Sequence, residues 1–358
     1  MRLLTRHLGR EIYLSIALVF AALLMLFAFM DLINELKVVD QGEYHLGYVL
    51  LFVTLSIPGH VYDLFPVAVL VGTIFALVQM AASSELTVYR ASGASLWQMM
   101  AVLFRVALPL VALSFVSGEY IAPPSEQAAK QLRMKALGAQ ISLKEFRSGV
   151  WAKDGLSFVN VKSVMPDASL SGISIYRFDE THHLQTIVNA KRASFTGKER
   201  WQLEDVLETR FGKHGASIDA FASQEWQSAL TPSLLSVLLV APEGMPVYDL
   251  YQYAQHLKDN RQKSARYEIA MWSKLAYPFA LMVMMLLALP FASYHRRAGG
   301  VGAMVFLGIV LGLVFHLAGR LFSNLGALND WQPFASATAM TGLFLLAGLV
   351  MLWWTERR

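Results

Sequence analysis

The sequence predicts an α-helical membrane protein with six transmembrane helices and an external all-β domain, jelly-roll or sandwich-like, inserted between the third and fourth. Three observations predict it. The 358-residue chain is 55% hydrophobic and only 16% charged, with a mean hydropathy of +0.44, whereas a soluble domain carries about 25% charge. The charges are unevenly spread: residues 120–270 hold 34 of the 56 Asp, Glu, Lys and Arg side chains. Between about 140 and 230 the apolar period shortens to two, the spacing of strands. These features divide the chain into helices at 1–120, an external domain at 121–265 and helices at 266–358.

A helix crosses the roughly 30 Å hydrocarbon core with about 20 apolar residues. Uncharged or nearly uncharged runs of that length are Ile12–Met30, Leu64–Ser84, Trp97–Gly118, Leu275–Tyr294, Ala298–Gly319 and Pro333–Thr355. The segment Leu46–Ile57 is apolar too, but it is short and meets Pro58-Gly59. It reads as interfacial or re-entrant rather than as a seventh span.

Orientation follows from Lys and Arg in the short loops. One side carries Arg2, Arg6, Arg10, Arg90, Arg296, Arg297, Arg357 and Arg358; the other has Lys37, with Glu35, Asp40, Glu43 and Asp330 near it. That asymmetry predicts cytoplasmic termini and an external domain, periplasmic in a Gram-negative bacterium. The first span is too long for a signal-peptide core and no small-residue cleavage site follows it, so it is expected to stay as an anchor.

In the external domain, Phe158–Val161, Ile173–Phe178 and Leu184–Val188 are rich in β-branched and aromatic residues. Polar turns at 179–183 and 196–199 separate such runs, the pattern of a meander or sandwich. Near Tyr248–Arg266 the pattern turns helical and polar and leads back to the membrane.

Several chemistries are excluded. With no cysteine there is no disulfide framework, thiolate metal site or cysteine nucleophile. Gly197-Lys198-Glu199 and Gly212-Lys213-His214 each hold a Gly-Lys pair but lack the second Gly and the hydroxyl residue of a phosphate loop. His182-His183 reads as a solvated hairpin turn, since adjacent side chains in an extended turn point apart. No Gly-x-Ser-x-Gly or His-Glu-x-x-His pattern is present, and the net charge of +4 is too scattered for nucleic acid. The chain is expected to be non-catalytic.

Ionisable residues in spans are functional candidates because their burial is costly. Arg105 sits near one end of the third span and can snorkel to headgroups. Glu119 lies at the other end. His316 and Arg320, one turn apart in the fifth span, share a face near the external surface and could meet an anionic headgroup or mark the membrane boundary. The loop from Ser83 to Gly93 has Ser83 or Ser84 as helix N-cap and Gly93 as terminator. It can form a short helix lying on the membrane, an ordinary connector or a plug for a groove on a cytoplasmic protein.

At these residues the chain resembles the lipopolysaccharide export permeases, the YjgP/YjgQ family, and among them the LptG type more than its paralogue LptF. The resemblance rests on Ser84-Glu85-Leu86 with Ala91-Ser92-Gly93, on Gly118-Glu119 with Ala122-Pro123, and on Trp151-Ala152-Lys153-Asp154-Gly155. It continues through Gly172-Ile173-Ser174-Ile175-Tyr176 and Met271-Trp272-Ser273-Lys274. It implies the non-catalytic half of an ATP-binding-cassette transporter that extracts lipopolysaccharide from the inner membrane and passes it to a periplasmic bridge.

The implied partners are a paralogous permease (LptF), a cytoplasmic ATPase dimer (LptB), a membrane-anchored periplasmic protein (LptC) and the bridge protein LptA. No cofactor is expected in this chain, ATP and Mg being bound by the partner ATPase. Glu85, Leu86, Tyr89, Arg90, Ala91, Ser92 and Gly93 match the family's coupling helix, and the external domain matches its β-jelly roll, suited to strand addition.

A substrate with several acyl chains and anionic phosphates needs an apolar wall and basic residues at the outer rim. Phe65, Val69 and Phe315 are candidates for the wall, and Lys37, His316 and Arg320 for the rim. The resemblance implies several basic residues near the outer end of the first span, whereas here only Lys37 is basic, with Asp31 and Glu35 close to it; a cluster of acids there would repel phosphate. Two rivals are an ion-gradient-driven lipid transporter, which needs carboxylates or broken helices near the membrane midplane, and a structural adaptor that organises a periplasmic complex.

Overall fold

The computed structural model describes residues 2–39, 44–91, 93, 96–137, 150–164, 169–181, 183–197, 199–212, 215–228, 230, 242–294 and 300–356. Asp40, Glu43, Ser92, His182, Lys198, Lys213, His214, Arg296, Arg297, Arg357 and Arg358 lie outside them, as do the side chains of Arg2, Tyr89 and Arg90.

Among the described residues, six helices are long and apolar enough to cross a membrane, as expected. The first half of the chain folds as α1 (Arg2–Leu36), α2 (Leu46–Ala82), the short α3 (Glu85–Ala91) and α4 (Leu96–Val116). A π-turn (Ser117–Ile121) joins α4 to α5 (Ala122–Leu137). After the β domain come a 3-10 turn (Pro242–Gly244), α6 (Val247–Asp259), α7 (Ala265–Tyr294), α8 (Val301–Leu328) and α9 (Pro333–Glu356).

One expectation needs correction. The segment Leu46–Ile57 neither stops at Pro58-Gly59 nor re-enters; it is the first third of α2, which runs unbroken through Pro58 and Pro66. His45 starts the helix, its Nδ1 accepting from the Gly47 N–H at 3.2 Å. Proline interrupts a helix because it lacks an N–H, but in a membrane bundle neighbouring helices re-satisfy the freed carbonyls. The count of six spans is unchanged.

α2 is apolar on all sides, the signature of a buried helix. Its most apolar stretch is 83% buried, against 6% for α1, so α2 is the core and α1, α5, α7 and α8 pack on it. Glycine permits the closest approaches. A Cβ on Gly72 would lie 2.5 Å from the Ile16 Cα of α1, and Cβ atoms on Gly308 and Gly312 of α8 would each lie 2.8 Å from α2 side chains. Small residues four apart at a helix contact are a common membrane packing device.

The inserted domain is all-β, as predicted. Among the described residues its strands form one antiparallel sheet in sequential order: β1 (Val150–Asp154), β2 (Ser157–Val164), β3 (Leu170–Phe178), β4 (Leu184–Gly197), β5 (Arg200–Gly212) and β6 (Gly215–Gln227). Side chains along a flat strand alternate faces, yet Leu170 is buried with Ile173 and Ile175, Val188 and Ala190 with Ala193, and Trp201 and Leu203 with Val206. Each strand therefore changes its inward side once, and the pairing register does not slip there. The changes fall on cross-strand neighbours Gly172, Lys191 and Asp205, with left-handed φ of 65° at Gly172 and 52° at Asp205. This line is a crease along which the sheet folds over its own core. Trp201 is fully enclosed in that core and donates from Nε1 to the Leu230 carbonyl at 2.8 Å.

α6 returns the chain to the bundle. Its Leu250, Tyr253 and Leu257 pack on Tyr267, Ala270 and Met271 of α7. Asn260, just beyond it, holds the β1–β2 turn: Lys153 Nζ donates to its carbonyl at 3.2 Å and the Gly155 N–H donates to its Oδ1 at 3.0 Å.

Candidate functional site

Two prolines and one π-turn prepare the end of the bundle that adjoins the β domain. Helical carbonyls accept from the N–H four residues on, so Pro66 leaves the Tyr62 carbonyl without a donor. The hydroxyl of Tyr277 supplies it. In the π-turn, the Ala122 N–H bonds back to Ser117, which frees the Gly118 carbonyl, and the next residue, Pro123, has no N–H to give. Lys274 Nζ donates to it at 3.3 Å. Lys274 and Tyr277, one turn apart on α7, thus each fill a backbone vacancy in a neighbouring helix. Gly118 is required here, since a Cβ would lie 2.3 Å from the Tyr62 ring.

Around these bonds lies a cavity of about 640 Å³ between α2, α5, α7, α8 and α9. Asp63, Lys274, Phe315, His316 and Arg320 line it, with Glu126 at one side. Lys274, almost fully enclosed, pairs with Glu119 at 3.5 Å. Tyr62 stacks on Tyr277 with ring centroids 4.3 Å apart. Arg320 is more exposed and meets Asp63 at a loose 3.9 Å, so its guanidinium keeps most of its donors free. Phe315 turns an edge to Phe344 of α9, 5.1 Å away. The other Glu119 oxygen accepts from the Val247 N–H at 2.9 Å, which ties the cavity to the first residue of α6 and so to the base of the β domain.

Of the residues singled out in the sequence, the structure brings Phe315, His316 and Arg320 together in this cavity. It does not bring Phe65, Val69 or Lys37 there. Phe65 and Val69 are buried in the helix core, Phe65 edge-on to Phe20 of α1 at 5.1 Å. Lys37 is exposed at the end of α1 and donates to Asn34 Oδ1 at 3.1 Å.

The acids near Lys37 are spoken for. Asp31 bonds His60 at 2.5 Å. Glu35 is buried, accepting from the Tyr44 hydroxyl at 2.9 Å and pairing with Arg133 at 3.3 Å. Both carboxylates are therefore engaged by partners within the bundle rather than free at that rim. Tyr62, Asp63, Lys274 and Tyr277 were not identified as site residues from the sequence; the available signal was charge and hydroxyl close to prolines inside apolar runs.

At the opposite end of α2 lies α3. Ser83 ends α2 rather than capping α3: its hydroxyl donates to Met80 and to Glu85 Oε1, at 3.2 and 3.1 Å. Ser84 turns with φ 62°, and its carbonyl accepts the first α3 bond from Val88. Leu86 is buried in the helix core while Thr87 and Val88 face outward. Glu85 pairs with His7 of α1 at 3.0 Å, and Gly93 follows the helix with φ 85°. α3 is thus a short arm held by buried Leu86 and by the Glu85–His7 pair.

Six apolar helices among the described residues, with an inserted β domain and a mixed-charge cavity at one end of the bundle, define a multipass membrane protein. The family model described as "Lipopolysaccharide export system permease LptF/LptG" matches residues 6–354. The chain belongs to that family. It is 33% identical over 351 residues to lipopolysaccharide export system permease protein LptG of Escherichia coli (strain K12), covering 98% of this chain and 97% of the relative. The Haemophilus influenzae protein of the same name is 32% identical over 356 residues, 99% and 98% of the two chains.

Proposed function

We propose that this chain is the LptG-type permease subunit of an ATP-binding-cassette transporter that extracts lipopolysaccharide from the inner membrane and hands it to a periplasmic bridge. The observation that carries this reading is the near full-length family match, which spans both bundle ends and the β domain together. In this reading both termini and α3 are cytoplasmic, and the β domain is periplasmic, as the arginine asymmetry predicts. The chain works with the paralogue LptF, an LptB ATPase dimer that binds ATP and Mg, the anchored protein LptC and the bridge protein LptA.

The geometry supports a division of labour. Arg320 and His316 stand at the outer mouth of the cavity, where a glycolipid phosphate would be met by charge-assisted hydrogen bonds. Phe315 and the apolar helix faces offer surface for acyl chains. α3 presents Thr87 and Val88 outward while Leu86 roots it in the core, the geometry of a lever that a partner can push. The Glu119 bridge to Val247 gives helix movement a direct route to the periplasmic domain.

Affinity purification of the tagged chain from its native membrane in mild detergent, with mass spectrometry of what is bound, tests the reading. An ATPase, a second six-span protein and lipopolysaccharide are expected. Glu85→Lys is expected to lose the ATPase while the chain stays in the membrane. A chain that arrives without an ATPase contradicts the proposal.

A further inference from the structure

At the end of the bundle far from the cavity, a second concavity of about 520 Å³ opens between α1 and α4. Its rim is basic: Arg6 and Arg10, one turn apart on α1, and Arg105 of α4. Arg10 lies eight residues after the start of α1 and Arg105 nine after the start of α4. Because the two helices run in the same direction from this end, both guanidinium stems leave at a matched depth of roughly 12 Å by helical rise. The floor is apolar and closely fitted. A Cβ on Gly9 would meet Val106 at 3.4 Å, and the Tyr13 hydroxyl donates to the Val106 carbonyl at 2.9 Å, closing one wall. Leu14 continues the floor toward the bundle's middle. No carboxylate lines this groove among the described residues.

We propose that this groove binds an anionic phospholipid of the leaflet that holds the N-terminus, the phosphate between the three arginines and an acyl chain along Leu14 and Val106. A single arginine in a span snorkels to whatever headgroup is nearest. Three from two helices, over an apolar floor and with no carboxylate among the described lining residues, form instead a basic interhelical pocket of the type that selects anionic headgroups. The volume suits a glycerophosphate group with its first methylenes. The site is separate from the glycolipid cavity; its assignment to the cytoplasmic leaflet rests on the topology proposed above.

The probes are cardiolipin and phosphatidylcholine, added in equal amount to the intact transporter complex in detergent and read by native mass spectrometry. Wild type is expected to retain cardiolipin over phosphatidylcholine by on the order of 100-fold, from three basic contacts. The variant Arg6→Gln/Arg10→Gln/Arg105→Gln is expected to lose that preference, and Arg6→Lys/Arg10→Lys/Arg105→Lys to keep most of it. Equal retention of both lipids by wild type, or an unchanged preference in the glutamine variant, overturns the proposal. The leaflet is read separately. The chain has no cysteine, so Thr5→Cys gives a single label site, expected to be closed to an impermeant maleimide in intact cells. Labelling from outside overturns the topology and with it the leaflet assignment, while the lipid preference still reports on the groove.

Discussion

Lys274 donates to the carbonyl of Gly118, the backbone acceptor that the π-turn releases and Pro123 cannot serve. The same ammonium pairs with Glu119, whose carboxylate also holds the start of α6. One α7 side chain therefore fixes the irregular end of α4 and, through Glu119, the foot of the β domain. Removing one partner of an enclosed pair leaves the other uncompensated, which typically costs about 3 kcal/mol. Lys274→Met is expected to lower the thermal midpoint of the purified complex accordingly. Lys274→Met/Glu119→Gln should lose less than the sum of the single losses, by about 1 kcal/mol or more; additive losses would show that the two groups are not coupled.

Gly72 lets α1 lie against α2, with the Ile16 backbone where a side chain would begin. Gly72→Val is expected to destabilise the bundle by about 1–3 kcal/mol, the usual cost of overpacking. Thermal melting in detergent checks this. A neutral result would mean that α1 is free to move off α2.

Arg320 is expected to be a phosphate contact. Arg320→Gln should reduce lipopolysaccharide retained on the purified complex about tenfold, the worth of one charge-assisted bond. Asp63→Asn, which releases Arg320 from its loose pair, should retain the glycolipid. Equal loss in both variants would point instead to a structural role for the pair.

Glu208 makes an acid-sensitive bond in the β domain. Glu208 is buried on β5, and its hydrogen bond from Arg210, at 2.8 Å, holds its carboxyl below the usual range against the opposing effect of burial. A carboxylate with a lowered folded pKa stabilises the fold above the usual glutamate range and loses that contribution as pH falls through the lowered value. Glu208→Gln is expected to remove this part of the acid limb and leave stability toward higher pH without a comparable slope. Tryptophan fluorescence of the full chain against pH measures it, with Trp201 and Trp226 packed 6.2 Å apart in the domain core.

Much of the architecture was legible in the sequence because length and hydropathy alone specify a span, and period two specifies a strand. The same local signals misjudged Pro58-Gly59: a proline stops a helix in water, but here α2 continues, packed among α1, α5 and α7. The crease across Gly172, Lys191 and Asp205 was not legible, since it depends on three strands agreeing on one line. Asp31 and Glu35 looked like a repulsive rim because their partners, His60 and Arg133, are remote in sequence. His316 and Arg320 were found from their helical spacing. Lys274 was not, because its role follows from carbonyls left open in other helices.

The most direct measurement of the central claim is ATP-dependent release of lipopolysaccharide. The full complex, reconstituted in proteoliposomes loaded with the glycolipid, would be followed by crosslinking to the periplasmic acceptor. The account predicts release that needs ATP, is abolished by Glu85→Lys on α3 and is reduced by Arg320→Gln at the outer mouth. Release that continues without ATP, or survives Glu85→Lys at the wild-type rate, would contradict it.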